Sequence, residues 1–364
     1  MARAKYLLVG STEAYSGKSA AILGIADQLK RQGVDIGYGK PLTVEQGHCA
    51  VDAETDIHFI IQSLSLSQAA IKPPLLCLDP ESLASFMQAH HTAPDESALP
   101  GLADYLQGIA GDLVILEGPS TLSEGSLVNL SLTQMSEQLD APILLVARYH
   151  AVELIDQLLD AKARLGDRLI GVLINDVPEA ELDAVGQRLT PFLEAQQIPM
   201  LGLLPRDRLL RSVSVRELTA QLDARVLCRG DRLDLMVETL TIGAMNVNSA
   251  LEYFRKGRNM AVVTGGDRTE LQLAALETST NCLILTGHSA PQDFILSRAD
   301  DLEIPILSVD LDTLTTVEIA DQAFGQVRLQ EPIKVRCIQD LMQAHFDTDR
   351  LVRTLGLEPA PVNA

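Results

Sequence analysis

One short segment carries residue types at a spacing suited to holding phosphate. Val9-Gly10-Ser11-Thr12-Glu13-Ala14-Tyr15-Ser16-Gly17-Lys18-Ser19 follows an apolar run and opens a helical pattern, which is the context a Walker A loop requires. In such a loop, successive backbone N–H groups converge on an anion at the start of a helix. Thr12, Glu13, Tyr15, Ser16 and Gly17 would shape that cradle. Lys18 would neutralise the β and γ phosphates of a nucleotide, and the Ser19 hydroxyl would ligate Mg²⁺. The pattern asks for glycine where Thr12 stands, so the motif alone also fits a Gly-Lys-Ser that simply begins a helix.

A second half of the site stands downstream. Asp112-Leu113-Val114-Ile115-Leu116-Glu117-Gly118-Pro119 reads as a buried strand ending in an acid. At the carboxyl end of a central parallel strand, Glu117 would face the ligand crevice and hold the metal directly or through water. Gly37-Tyr38-Gly39-Lys40-Pro41 ends another strand, so Lys40 is a candidate for a substrate carboxylate or phosphate, and Asp56 a candidate second metal ligand.

The elements that must position these residues alternate. Apolar runs at Tyr6 to Val9, Asp35 to Lys40, Leu113 to Glu117, Ile143 to Ala147, Ile170 to Asn175 and Met200 to Leu204 are separated by helical patterns, among them Ala20 to Arg31, Asp56 to Leu64, Val152 to Leu165 and Glu179 to Gln196. Short continuous apolar strands with helices between them predict a doubly wound α/β domain around a parallel sheet. Near 205–230 the rhythm changes, and a helix over Ser214 to Leu222, capped by Ser212 or Ser214, opens a smaller α/β series. Its strands are expected at Met260 to Thr264, Cys282 to Thr286 and Pro305 to Val309, and its last helix at Ile333 to Gln343. The expected division is therefore 1–215, 216–350 and a loose tail over 351–364.

Composition excludes several functions. A formal net charge of −20 would repel a phosphate backbone, so nucleic acid is not an expected partner, and the absence of Trp with only 4% aromatic residues removes base-stacking platforms. No apolar run approaches the roughly 20 residues a membrane span needs. The N-terminal apolar stretch runs into a turn and not a cleavage site, so it reads as a first strand. Five widely spaced cysteines form no C-x-x-C pair, which favours reduced thiols in a cytoplasmic protein.

Ser11-Thr12-Glu13, Gly17-Lys18-Ser19, Lys40-Pro41, Asp56, Glu117-Gly118 and Asn175 resemble, in order and spacing, the dethiobiotin synthetase family over about the first 215 residues. The resemblance implies Mg-ATP at Lys18 and Ser19, with Asp56 and Glu117 near the metal and Asn175 against the adenine. Asn259 to Glu270, with Gly265-Gly266-Asp267-Arg268 at its centre, resembles the signature of a DRTGG domain. A strand ending in two glycines, with Asp267 as helix cap, would make another turn able to receive an anion, and equally a tight connection without a ligand. His288 ends the next strand in a parallel way.

The two domains in this order are similar to the noncatalytic N-terminal region of long phosphotransacetylases. Their acyltransferase domain would need roughly 300 further residues, so acetyl transfer by this chain is not expected. The turn after Glu117 also departs from the dethiobiotin synthetase pattern. Pro119 removes a backbone donor, which points to a different substrate or to none. Two functions follow as expectations. One is an ATP-binding regulatory module acting within a homo-oligomer or on a partner. The other is an ATP-dependent ligase or kinase that activates a small carboxylate, with Lys18 and Lys40 carrying the chemistry. A receptor for a signalling nucleotide at Gly265-Gly266 is a third.

Overall fold

A computed structural model describes residues 5–44, 49–89, 101–287, 289–325 and 331–357, and their side chains except those of 49–56 and 89. These residues fall into two compact units, 5–206 joined by 331–357, and 207–325.

The first unit runs β1 (Tyr6–Ser11), α1 (Lys18–Arg31), β2 (Ile36–Gly39), β3 (Leu42–Val44), α2 (Cys49–Leu64), β4 (Ile71–Lys72), β5 (Leu76–Leu78), α3 (Pro80–Ala89), α4 (Leu102–Tyr105), β6 (Leu113–Glu117), α5 (Leu132–Leu139), β7 (Ile143–Arg148), α6 (Leu154–Leu165), β8 (Leu169–Val177), α7 (Leu182–Ala195) and β9 (Met200–Pro205). Seven strands form one parallel sheet in the order β4-β2-β6-β1-β7-β8-β9. Leu7 to Val9, Leu113 to Leu116 and Ile143 to Ala147 are buried along their whole length, as a sheet covered on both faces requires. Because β1 and β6 are neighbours in register Val9↔Glu117, the loop after β1 and the acid ending β6 emerge side by side at the carboxyl edge.

The second unit contains β10 (Val213–Ser214), α8 (Val215–Gln221), β11 (Arg225–Cys228), β12 (Met236–Val237), β13 (Thr239–Ile242), α9 (Val247–Phe254), β14 (Met260–Gly265), α10 (Thr269–Leu276), β15 (Thr280–Thr286), α11 (Asp293–Asp301), β16 (Ile306–Val309) and α12 (Thr313–Gly325). Its sheet has the order β11-β16-β15-β14-β13, parallel except for the antiparallel edge strand β11. Ser214 caps α8 as expected, its hydroxyl accepting the Glu217 N–H at 3.3 Å.

The C-terminal part departs from the expected division. α13 (Pro332–His345) and α14 (Thr348–Leu355) belong to the first unit and pack on α1 and β9. Gln339 donates to Asp27 at 2.9 Å, and Met342, fully buried, fills the space that Gly24 leaves on α1. The expected loose tail is corrected over 351–357. Leu351, Val352 and Leu355 form one apolar helical face and are buried, while Arg350 clamps Glu194 through two bonds of 2.6 and 2.9 Å. The cysteine reading is corrected as well. Cys228 and Cys282 are free, but Cys77 is disulfide-bonded, a pairing that spacing cannot show because such partners meet only in the fold. Among the described residues no helix is long and apolar enough to cross a membrane.

Candidate functional site

The site forms where β1, β2, β6 and β8 end. Gly17 closes the loop after β1 in a left-handed conformation (φ +94°) and stands at the N-cap of α1. That turn brings Lys18 and Ser19 onto the first turn of the helix, facing the end of β6. Lys18 Nζ donates to the Gly118 carbonyl at 2.5 Å and to the Pro119 carbonyl at 2.7 Å. Ser19 Oγ donates to Glu117 Oε1 at 3.2 Å, and Lys40 Nζ, arriving from the end of β2, lies 3.4 Å from the same oxygen. Four residues picked out by type and spacing, Lys18, Ser19, Lys40 and Glu117, therefore meet.

Charge in this cluster is constrained. Lys18 keeps some surface to solvent, but the protein packed around its ammonium lowers its pKa to about 8, with Lys40 adding to the fall and Glu117 and Glu124 opposing it. Burial alone would raise Glu117. The charges of Lys40 and Lys18 and the hydrogen bond from Tyr38 outweigh it and hold the carboxyl below its ordinary range. Two ammonium groups thus bear on the charge of Glu117, Lys40 at 3.4 Å and Lys18 through its nearby charge.

The loop is built as a cradle. Ser16 is buried, and its Oγ, like Thr12 Oγ1, has no partner among the described residues. Thr12 N–H donates to the Val146 carbonyl at 3.3 Å, and Ser11 Oγ donates to the Ser120 carbonyl at 2.9 Å. Tyr15 stands at the exposed loop apex with φ +56°, so its backbone and not its ring shapes the turn. The Glu13 carboxylate lies 2.9 Å from His150 Nε2. Asn175 Nδ2 donates to the Ser16 carbonyl at 3.0 Å, tying the end of β8 to the loop. Beyond Glu117 the turn is closed by a bond from the Ser120 N–H to the Glu124 carboxylate. Asp56 lies in α2, and its side chain falls outside those described.

Sequence reasoning missed Tyr38 and His150. Tyr38 is 1% exposed and donates to Glu117 Oε2 at 2.8 Å. Its signal was its parity with Lys40, since alternate residues of a strand share a face. His150 gave no signal, because its proximity to Glu13 exists only once β7 lies beside β1. A cluster also escaped notice at the ends of β7 to β9, where Asp176 joins Arg148 at 3.2 Å and Arg206 at 2.9 Å.

In the second unit, Gly265 ends β14 and Gly266 lies so close to the Ser289 carbonyl that a Cβ would not fit. Buried Gln272 reaches back from α10 and donates to the Gly265 and Gly266 carbonyls at 2.9 and 3.0 Å. Asp267 does not cap α10. Arg268 occupies that position without a side-chain bond. His288 lies outside the described residues.

The AAA domain family matches residues 5–214, and the DRTGG domain family matches 217–323. A phosphate acetyltransferase of a Synechocystis strain is 26% identical over 97% of this chain and 53% of its own length. A phosphate acetyltransferase of Nitratidesulfovibrio vulgaris is also 26% identical, over 95% of this chain and 51% of its own. The chain thus spans about half the length of these curated relatives. Among solved structures, the CBS and DRTGG domains of the regulatory region of Clostridium perfringens pyrophosphatase, complexed with diadenosine tetraphosphate, superpose with a TM-score of 0.28 at 16% identity, covering 42% of this chain and 74% of that one. At that score the likeness carries no weight for fold or ligand.

Proposed function

We propose that this chain, which belongs to the AAA domain family and carries a DRTGG domain after that match, binds ATP with magnesium and acts as a regulatory sensor. The observation that carries this reading is the pair of buried hydroxyls, Ser16 Oγ and Thr12 Oγ1, left without partners among the described residues in a loop that starts a helix beside two lysines. Buried polar atoms are almost always satisfied, and a phosphate among the loop N–H groups would supply the missing acceptors. Magnesium, when bound, supplies positive charge against the phosphate oxygens. Ser19 and Glu117 fit it as a hydroxyl and a carboxylate held together.

The chain's own groups do the binding. Lys18 exchanges the Gly118 and Pro119 carbonyls for phosphate oxygens, and Glu117 retains Lys40 as a counter-charge. Releasing those carbonyls removes one of the ties on the turn after β6, which Ser11 and Glu124 also hold, and so gives a nucleotide a local consequence to transmit. On this reading the chain corresponds to the regulatory portion of phosphate-acetyltransferase-like proteins, works in a homo-oligomer and is cytoplasmic.

Lys40 favours a second reading, a ligase that activates a small carboxylate. A second lysine at one carboxylate exceeds what the loop itself needs, and it stands where a substrate anion would sit. Measuring ADP release and assembly size with and without ATP separates the two. A sensor changes its assembly with slow turnover, whereas a ligase releases ADP only when a suitable carboxylate is supplied. Gly265 to Arg268 have weaker support as a ligand site, because Ser289 and Gln272 already cover the turn.

A further inference from the structure

We propose that Tyr38 is a positioning residue for Glu117, fixing which edge of that carboxylate meets the Ser19 hydroxyl and a divalent cation held beside it. The inference rests on the magnesium-nucleotide reading above and assigns to it a residue that neither loop motif contains.

The placement follows from the sheet. β2 and β6 are parallel neighbours with Tyr38 opposite Ile115. Side chains alternate between faces, so Tyr38 shares a face with Ile115 and with Glu117, two residues further along β6. Diagonal same-face neighbours are within reach of an aromatic side chain, and the phenol spans that gap. It donates to Oε2 of Glu117 at 2.8 Å and is buried with it.

The two carboxylate oxygens consequently have different surroundings. Oε2 takes the neutral phenol, while Oε1 takes the Ser19 hydroxyl at 3.2 Å and faces the Lys40 ammonium at 3.4 Å. The torsion that turns a glutamate carboxylate is broad and roughly two-fold, so nothing intrinsic to Glu117 prevents it from rotating. Lys40 would follow either oxygen, because an ammonium is a compact charge with rotatable donors. A phenol fixed within a strand is directional and leaves the carboxylate's charge intact. Tyr38 therefore orients Glu117 without neutralising it, which is what a metal-facing carboxylate needs from its outer partners.

The test uses the full chain and ATP as probe. Binding is followed by calorimetry across a MgCl₂ series and in excess EDTA, for wild type, Tyr38→Phe, Glu117→Gln and the double variant. Removing the phenol oxygen is expected to raise the magnesium concentration for half-maximal ATP binding by about 10- to 100-fold, the usual cost of losing an outer-shell partner. Affinity in EDTA should stay at the wild-type value, which also reports that the variant is folded. The double variant should show no larger shift of the magnesium midpoint than Glu117→Gln alone, since the proposed effect of Tyr38 on the cation runs through that carboxylate. An unchanged magnesium midpoint in Tyr38→Phe, with a magnesium-dependent wild type, would overturn the role of Tyr38 and leave the nucleotide reading standing. So would an equal loss of affinity with and without magnesium, which marks a purely structural residue. A wild type that binds ATP identically in magnesium and EDTA would remove the magnesium reading itself, and this role with it.

Discussion

The Asn175 amide nitrogen lies 3.0 Å from the Ser16 carbonyl, directly over Gly17, and so closes the phosphate loop from the end of β8. A side chain at Gly17 would have to adopt φ +94° and would run into that same amide. Gly17→Ala is therefore expected to cost about 1–2 kcal/mol in backbone strain alone and to weaken ATP binding at least tenfold by displacing Asn175. Urea unfolding and calorimetry on one preparation measure the two effects. Full ATP affinity in this variant would mean that the loop tolerates a different turn.

Lys18 gives the site a pH dependence whose sign can be worked out. Its pKa in the folded protein is about 8, below the ordinary 10.5, so its charge is lost as pH rises through about 8. Phosphate binding needs the charged form. ATP affinity should be level below pH 8 and fall by up to about tenfold per unit above it. The stability of the free protein should move the other way between about pH 8 and 10.5, because the unfolded chain holds the extra proton there and raising the pH favours the folded state. Lys18→Arg, whose charge does not titrate in this range, should flatten the binding profile.

The return of the chain to its first unit makes a prediction about stability. Met342 on α13 is fully buried against Gly24 of α1, the helix that begins with Lys18. Met342→Ala should destabilise that unit by about 2–5 kcal/mol, as truncation of a buried side chain does. Denaturant unfolding at fixed m-value measures it. A change below about 0.5 kcal/mol, the level of an ordinary surface substitution, would show that α13 does not pack as described.

In the second unit, Gln272→Ala should leave the Gly265 and Gly266 carbonyls without their buried donor. The expected loss is about 1–3 kcal/mol, read by unfolding of that unit, with ATP binding at the first unit unchanged. An equal loss of ATP affinity would contradict the assignment of nucleotide binding to the first unit.

How much of this was legible in the sequence differs by element. The strand-helix alternation from Tyr6 to Leu204 is written locally, in short apolar runs separated by helical periods, and the parallel sheet follows from it. Lys18, Ser19 and Glu117 were legible because their motifs place them at strand ends by construction. β11 and β13 were not, since Arg225–Cys228 and Thr239–Ile242 are short, partly exposed edge strands. Nor was the docking of Thr348–Leu355 on the first unit. Its helical face is plain in Leu351, Val352 and Leu355, but which unit buries that face is decided by distant residues such as Glu194 and Leu201. Tyr38 illustrates the same limit: the sequence places it two residues before Lys40, and only the register with β6 turns its hydroxyl toward Glu117.

The central claim is that the Lys18 loop binds a triphosphate, and the most direct test is calorimetric titration of Mg-ATP into the wild type and Lys18→Ala, with unfolding curves confirming that both are folded. Saturable one-site binding in the wild type, reduced at least a hundredfold in the variant by loss of about 3 kcal/mol, is the predicted result. No binding to the wild type, or equal affinity in the two proteins, would contradict it.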